Sequence, residues 1–229
     1  MKSQSDYMPD LSNIGLDDFK NELKTGRLLP SRMPLLADIE SNFSLIQQTG
    51  INNADRLREE LKSNKRLAKL AEGTGISEDY LKLLKREVNN LLPTPVKFVD
   101  VPNISDKIIK QLNVLGIVDT ENLFPYVKDP ENRQKLKNLS GISMPDILWL
   151  TKLVDVSRIK WVGPKLARLI VDTEYDTVEK LSHADPKKVL DAFDEAKSKH
   201  KAYQGALGID DINSWIRQVV SNTRIIIKY

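Results

Sequence analysis

The chain has 229 residues, 40% apolar and 29% charged, the composition of a globular protein with material for one large core or two small ones. It has no cysteine, which excludes disulfides, thiolate catalysis and cysteine-ligated zinc or iron–sulfur centres. Its net charge of +3, from 35 basic and 32 acidic residues, is too small to announce a nucleic-acid partner.

In chain order, residues 1–34 read as a helical extension. Their opening, "MKSQSDYMPDLS", has no apolar core of a secretory signal, and no run in the chain approaches the ~18 apolar residues of a membrane span. A cytoplasmic protein with no membrane partner is expected. Residues 35–95 form a first helical unit. It holds "LADIESNFSLIQQT", stopped by Gly50, and "EDYLKLLKREVNNLL", capped by Ser77 with Tyr80, Leu81, Leu84 and Val88 on one face. Residues 96–156 form a second unit. "SDKIIKQLNVL" stops at Gly116, Asp129-Pro130 pairs an N-cap with proline at the first helical position, and Ser143 starts "MPDILWLTKLV". Residues 157–229 form a C-terminal unit with "WVGPKLARLI" and the cap Asp185-Pro186. The fold class is all-α. The extended candidates are "VKFVDV" at 96–101 and "RIIIKY" at 224–229, with a minor short β pairing between them as an expectation.

An internal repeat organises these units. A shift of 66 with no gap sets Ser44–Val88 on Lys110–Val154. Gly50-Ile51 then falls on Gly116-Ile117, Leu57 on Leu123, and Gly75-Ile76-Ser77 on Gly141-Ile142-Ser143. The matches are turn glycines, caps and core positions, the features that a shared backbone requires. At a shift of 58, "NISDKIIKQL" (103–112) falls on "WVGPKLARLI" (161–170) and Leu123 on Leu181. Two full units and a partial third are expected.

Charge singles out the third. Residues 1–156 hold 22 basic and 22 acidic residues, whereas 157–229 hold 13 and 10. Between Ser157 and Val171 stand Arg158, Lys160, Lys165 and Arg168 with no acid. A tight glycine turn that opens a helix leaves backbone N–H groups and the positive end of the helix dipole facing outward, a site suited to one phosphate. A lysine in the first turn adds attraction and releases counterions, and a small residue such as Ala167 lets two helices approach closely.

"RIKWVGPKLARLI" resembles a helix-hairpin-helix element. With "YDTVEKLSHADPKKVLDAF" and "IDDINSWIRQV", it is similar to an uncharacterised bacterial family of helix-hairpin-helix proteins of unknown function. The resemblance covers about Val156 to Asn222 and extends more loosely to about Leu35. It implies an all-helical fold and contact with nucleic acid, and it supplies no enzyme activity. The motif's second glycine matches Gly163, its lysine Lys165 and its small residue Ala167, while Trp161 replaces the first glycine. At Asn103-Ile104-Ser105 both glycines are missing, though Lys107 and Lys110 remain. The turns at Gly75 and Gly141 carry Glu78, Asp79 and Asp146 behind them, which repel phosphate and suit helix caps.

The expected function is therefore weak, sequence-independent binding of nucleic acid, DNA or RNA, through phosphate contacts and without catalysis. The contacts would be the backbone N–H groups of Gly163, Lys165 and Leu166 in the turn that starts at Val162, with the side chains of Lys160, Lys165 and Arg168. Arg158, Lys107 and Lys110 are weaker candidates. A positive φ is expected at Gly163, and Trp161, Trp149 and Trp215 are expected in the core. A scaffold that binds another protein and has lost DNA contact is the alternative, supported by the near-neutral charge. A DNA glycosylase-like enzyme is a remote one, resting on Asp172, Asp176 and Lys180. Asp176 reads more simply as the cap of "TVEKL". His183 and His200 lack metal-ligand spacing, the basic run 197–201 reads as an exposed helix end, and no cofactor is implied.

Overall fold

The structure, a computed structural model, describes residues 6–26, 28–199, 205 and 207–229. It is all-α and divides into two compact units. One is Pro9–Leu92, and the other joins Pro93–Tyr229 to residues 6–8.

The first unit contains a 3-10 turn at Leu11–Asn13, α1 (Leu16–Thr25), a second 3-10 turn at Pro30–Leu36, α2 (Ile39–Gln48), α3 (Ala54–Leu61), α4 (Asn64–Thr74) and α5 (Glu78–Asn89). Its core gathers Phe19, Phe43, Leu57, Leu61, Leu81 and Leu84, all fully buried. The second unit opens with a 3-10 turn at Phe98–Asp100. It continues with α6 (Asp106–Val114), α7 (Thr120–Val127), α8 (Pro130–Ser140), α9 (Met144–Val156), α10 (Pro164–Val171), α11 (Val178–Ser182), α12 (Pro186–Lys199) and α13 (Ile209–Asn222). One core runs through all of these helices, from Phe98, Leu112 and Leu123 to Ile170, Phe193 and Ile212.

Caps fix where the helices start, and the caps recur. Helices α3 and α4 reappear 66 residues later as α7 and α8, with the same lengths. Asn53 and Asp119 each accept the N–H three residues on, as do Ser63 and Asp129. Ser77 and Ser143 do the same at the starts of α5 and α9. The third copy keeps the helix order too: α10 and α11 start 58 residues after α6 and α7, and α12 and α13 follow. It is thus more complete than the partial unit expected from sequence.

An extended segment leans on the second helix of each of the first two copies. Ala54 N–H donates to the Ile14 carbonyl at 2.9 Å, and Thr120 N–H to the Val96 carbonyl at 3.0 Å, with single bridges at Gly15–Asn53 and Lys97–Asp119. Residues 96–101 therefore pair with the loop before α7. The expected pairing with 224–229 does not form. That segment instead passes the junction of α7 and α8, where Lys228 N–H meets the Lys128 carbonyl at 2.9 Å. Among the described residues, no helix is long and apolar enough to cross a membrane.

Tyr7 is completely buried in the second unit. Its hydroxyl lies 2.8 Å from Thr120 Oγ1 and donates to the Ser157 carbonyl at 3.2 Å, and its ring meets Phe124 edge-on. Burial pushes the phenol from its ordinary 10.0 up to about 12. A folded-state value above the unfolded one means stability that is complete below about pH 10 and lost as pH rises toward about 12, on the order of 2–3 kcal/mol. Tyr7→Phe is expected to lower stability at about pH 9, where two hydroxyl partners lose their bond, and to remove this alkaline loss. Denaturant unfolding of both proteins at about pH 9 and pH 11.5 checks it; equal losses would show that Tyr7 does not titrate with unfolding.

Candidate nucleic-acid interface

Helix α9 ends in the run Leu153–Val156, all buried. Seven residues later Gly163 caps α10. Between them the chain turns tightly: Val162 N–H donates to the Ile159 carbonyl at 3.2 Å and Gly163 N–H to the Trp161 carbonyl at 3.1 Å. Ile159, Val162, Leu166 and Ala167 face the core. Ala167 is wholly buried, and its N–H donates to the Gly163 carbonyl at 2.8 Å, the first backbone bond of α10.

Among the described residues, four turns share this plan. Each has a residue with left-handed backbone, then a branched apolar residue, then a helix N-cap. They are Gly75-Ile76-Ser77, Asn103-Ile104-Ser105, Gly141-Ile142-Ser143 and Trp161-Val162-Gly163, with first-residue φ of 73°, 57°, 68° and 66°. The left-handed residue is Trp161, not Gly163, whose φ of −83° and open Cβ position suit any side chain. A bulky residue in that conformation costs about 1–2 kcal/mol. The conformation aims the indole outward: Trp161 is 55% exposed, against the expectation of a core plug. Trp149 packs partly buried against the core and Trp215 is buried.

The four helix starts differ in charge. First turns carry Glu78 and Asp79 in α5, Asp106 in α6 and Asp146 in α9, and Ser77 and Ser143 cap with their hydroxyls. Helix α10 has no acid in its first turn and no side-chain cap. Lys165 is exposed there. Pro164 has no N–H and Gly163 N–H serves the turn, so the donors left at this end are Lys165 N–H and Leu166 N–H, one fewer than expected.

The other cations fare differently. Arg158 is 4% exposed, a correction to its reading as a surface contact. Its guanidinium donates to Asp155 Oδ1 at 3.2 Å, the Tyr7 carbonyl at 3.3 Å and the Arg224 carbonyl at 2.9 Å, and lies over the Phe124 ring. Lys160 is 7% exposed, with Nζ 4.3 Å from the Trp161 ring centre, so it too is withdrawn. Arg168 is tied to Asp172 at 2.8 Å and to the Pro102 carbonyl at 3.3 Å, over the Trp149 ring. Lys107 and Lys110 are exposed on α6. Their helix starts at Ser105, which makes no side-chain cap, and carries Asp106 in its first turn.

Of the remaining candidates, Asp172 is the partner of Arg168, and Asp176 bonds Lys152 and, at 2.7 Å, Lys180. The cap of α11 is Thr177, not Asp176. His183 ends α11, and His200 lies outside the described residues, among which no three His, Cys, Asp or Glu side chains gather as a metal site. Of the basic run 197–201, Lys197 pairs with Asp194 at 2.9 Å, and residues 200 and 201 also lie outside the described residues.

Sequence reasoning missed the network around Arg158. Asp155 is 3% exposed. Its Oδ2 accepts from Val178 N–H at 3.0 Å and from the Tyr229 hydroxyl at 3.2 Å. Burial pushes the Asp155 carboxyl above the usual carboxylate range, and Arg158 opposes that rise. The only signal in the sequence was the spacing of the two, three residues apart at a helix end.

A family model described as Domain of unknown function (DUF4332) matches residues 102–221, slightly more than half of the chain. The chain belongs to that family. No curated protein and no solved structure matches it. The DUF4332 match takes in the turns at Asn103, Gly141 and Trp161, and it includes Asp155 and Arg158 but ends before the segment 224–229.

In this DUF4332 turn, Trp161→Gly is expected to be about 1 kcal/mol more stable than Trp161→Ala, since both lose the indole and only glycine suits a φ of 66°. Thermal and urea unfolding compare the two. Equal stabilities would mean that the turn relaxes out of the left-handed region.

Proposed function

We propose that the chain is a non-catalytic helix-hairpin-helix protein, working in the cytoplasm, that holds nucleic acid weakly and without sequence preference at residues 161–166. The observation that carries this reading is the uncapped, acid-free start of α10 with exposed Lys165, beside the exposed indole of Trp161. Two N–H donors and one ammonium can take a phosphate, and the indole offers a face on which an unpaired base can stack. Phosphate and stacking contacts carry little base information. Because Arg158 and Lys160 are withdrawn and Arg168 is paired, the site makes about one cationic contact, and stacking favours single strands.

A second reading keeps the same turn and changes the partner. An exposed tryptophan ringed by few free charges is also the anchor type of protein interfaces, and the near-zero net charge of residues 1–156 suits it. A glycosylase-like activity has less support, because Asp172 and Asp176 are each held by basic side chains.

Fluorescence anisotropy with single-stranded and duplex oligonucleotides over a salt series separates the first two. Lys165→Ala is expected to lower the salt slope by about one unit, and Lys165→Ala with Arg168→Ala by little more, because Arg168 is committed elsewhere. Trp161→Ala is expected to weaken single-strand binding by about 1–3 kcal/mol. Gly163→Ser is expected to keep or slightly raise stability, since its hydroxyl would take Leu166 N–H as Ser77 takes Tyr80 N–H, and to weaken binding by removing that donor. Folded variants that all bind as the parent does would transfer the turn to a protein partner.

A further inference from the structure

The turn at Trp161 differs from the other three in the pair of residues that opens it. At Gly75 and Gly141 the preceding residue is Thr74 or Ser140, whose hydroxyl accepts the N–H of Ile76 at 3.3 Å or of Ile142 at 3.1 Å. At Asn103 it is Pro102. At Trp161 the Val162 N–H goes to the Ile159 carbonyl, so the turn needs no hydroxyl at residue 160, and a lysine stands there. Its ammonium is drawn in against the indole: Lys160 is 7% exposed, and its Nζ lies 4.3 Å from the Trp161 ring centre. Burying an ammonium is costly unless negative density meets it, and the face of an indole provides some.

Lys160 therefore covers one face of the ring, and the 55% exposure of Trp161 falls on the opposite face and the edges. A side chain that wedges between stacked bases offers both of its faces. This indole has one to offer, so it can cap a base but not intercalate. A second cation on the open face would sit about 9 Å from the Lys160 ammonium, where like-charge repulsion is comparable with the attraction of an exposed cation–π contact. The open face accordingly favours a neutral ring over an arginine or a lysine. By restraining the indole before any ligand arrives, Lys160 also lowers the ordering cost of stacking.

We propose that Lys160 is a positioning residue that makes Trp161 a one-sided platform for a single unpaired nucleobase, at a strand end or within a single strand. The proposal rests on the nucleic-acid reading above. It adds the form of nucleic acid that is held and a role for a lysine that touches no phosphate.

The test compares three labelled probes over a salt series by fluorescence anisotropy: an oligoadenylate, a blunt duplex, and the same duplex with one unpaired adenine at each 3′ end. The full-length parent is expected to bind the single strand and the overhanging duplex at least about fivefold more tightly than the blunt one. Lys160→Met keeps the stem and removes the charge. It is expected to weaken single-strand binding about threefold or more with an unchanged salt slope, and Lys160→Arg to restore it to within about twofold. In a Trp161→Ala background, Lys160→Met is expected to change nothing further. The proposal is overturned if the blunt duplex binds as tightly as the overhanging one. It is equally overturned if Lys160→Met lowers the salt slope by about one unit, the mark of a direct phosphate contact, or if its effect adds to that of Trp161→Ala. Each of these outcomes leaves the nucleic-acid reading standing, whereas a folded parent that binds none of the three probes removes both. If circular dichroism shows Lys160→Met to be unfolded, Lys160→Gln is read in its place, and the parent's preference among the probes holds as a test without either.

Discussion

The buried pair of Asp155 and Arg158 is the contact around which the second unit closes. In the first two copies of the repeat, the leading N–H of the second helix finds a backbone carbonyl, that of Ile14 for Ala54 and of Val96 for Thr120. The corresponding residue in the third copy is Val178. No extended segment precedes it, because α9 runs directly into the copy, and the carboxylate of Asp155 takes the place of the missing carbonyl. A carboxylate buried for that purpose needs a cation, and Arg158 supplies it from three residues on. Removing one member of such a pair typically costs about 3–5 kcal/mol, because the other is left charged and buried.

Arg158 has donors beyond those that Asp155 uses. They take the Tyr7 carbonyl and the Arg224 carbonyl, so stretches more than 200 residues apart in sequence meet on one guanidinium. The same demand shapes the turn that follows. With Arg158 drawn inward and Ile159 and Val162 buried, the chain must reverse within a few residues. Trp161 takes the left-handed position and faces out. The exposed indole follows from the way the third copy replaces a backbone acceptor with a side chain.

Much of the fold was legible because caps and turn residues are local. Asn53 and Asp119, Ser63 and Asp129, and Ser77 and Ser143 recur at one spacing and start the same helices. The site was legible only in part. A window of four cations without an acid reads as a surface stripe, but the acid that buries Arg158 stands two residues before that window. The other acceptors, Tyr7 and Arg224, lie 151 and 66 residues away, beyond any periodic pattern. Gly163 drew the expectation of positive φ because glycine permits it, whereas the repeat alignment sets Trp161 level with Asn103. Asparagine is the residue other than glycine that visits that region most readily, and this was the signal to heed. The expected pairing of 96–101 with 224–229 failed for another reason. Both segments are extended, but the repeat had already supplied 96–101 with a neighbour in the loop before α7.

The four related turns then fall into two kinds. At Gly75, Asn103 and Gly141 the helix that follows begins with acid, which satisfies the dipole from within and repels an outside anion. The turns at Gly75 and Gly141 are capped by a serine hydroxyl as well. The turn at Trp161 leaves its helix start unsatisfied and places an indole and an ammonium next to it. Within the nucleic-acid reading, one phosphate contact changes affinity only about three- to fourfold over a fourfold change in salt, so a single turn has little electrostatic hold and depends on stacking.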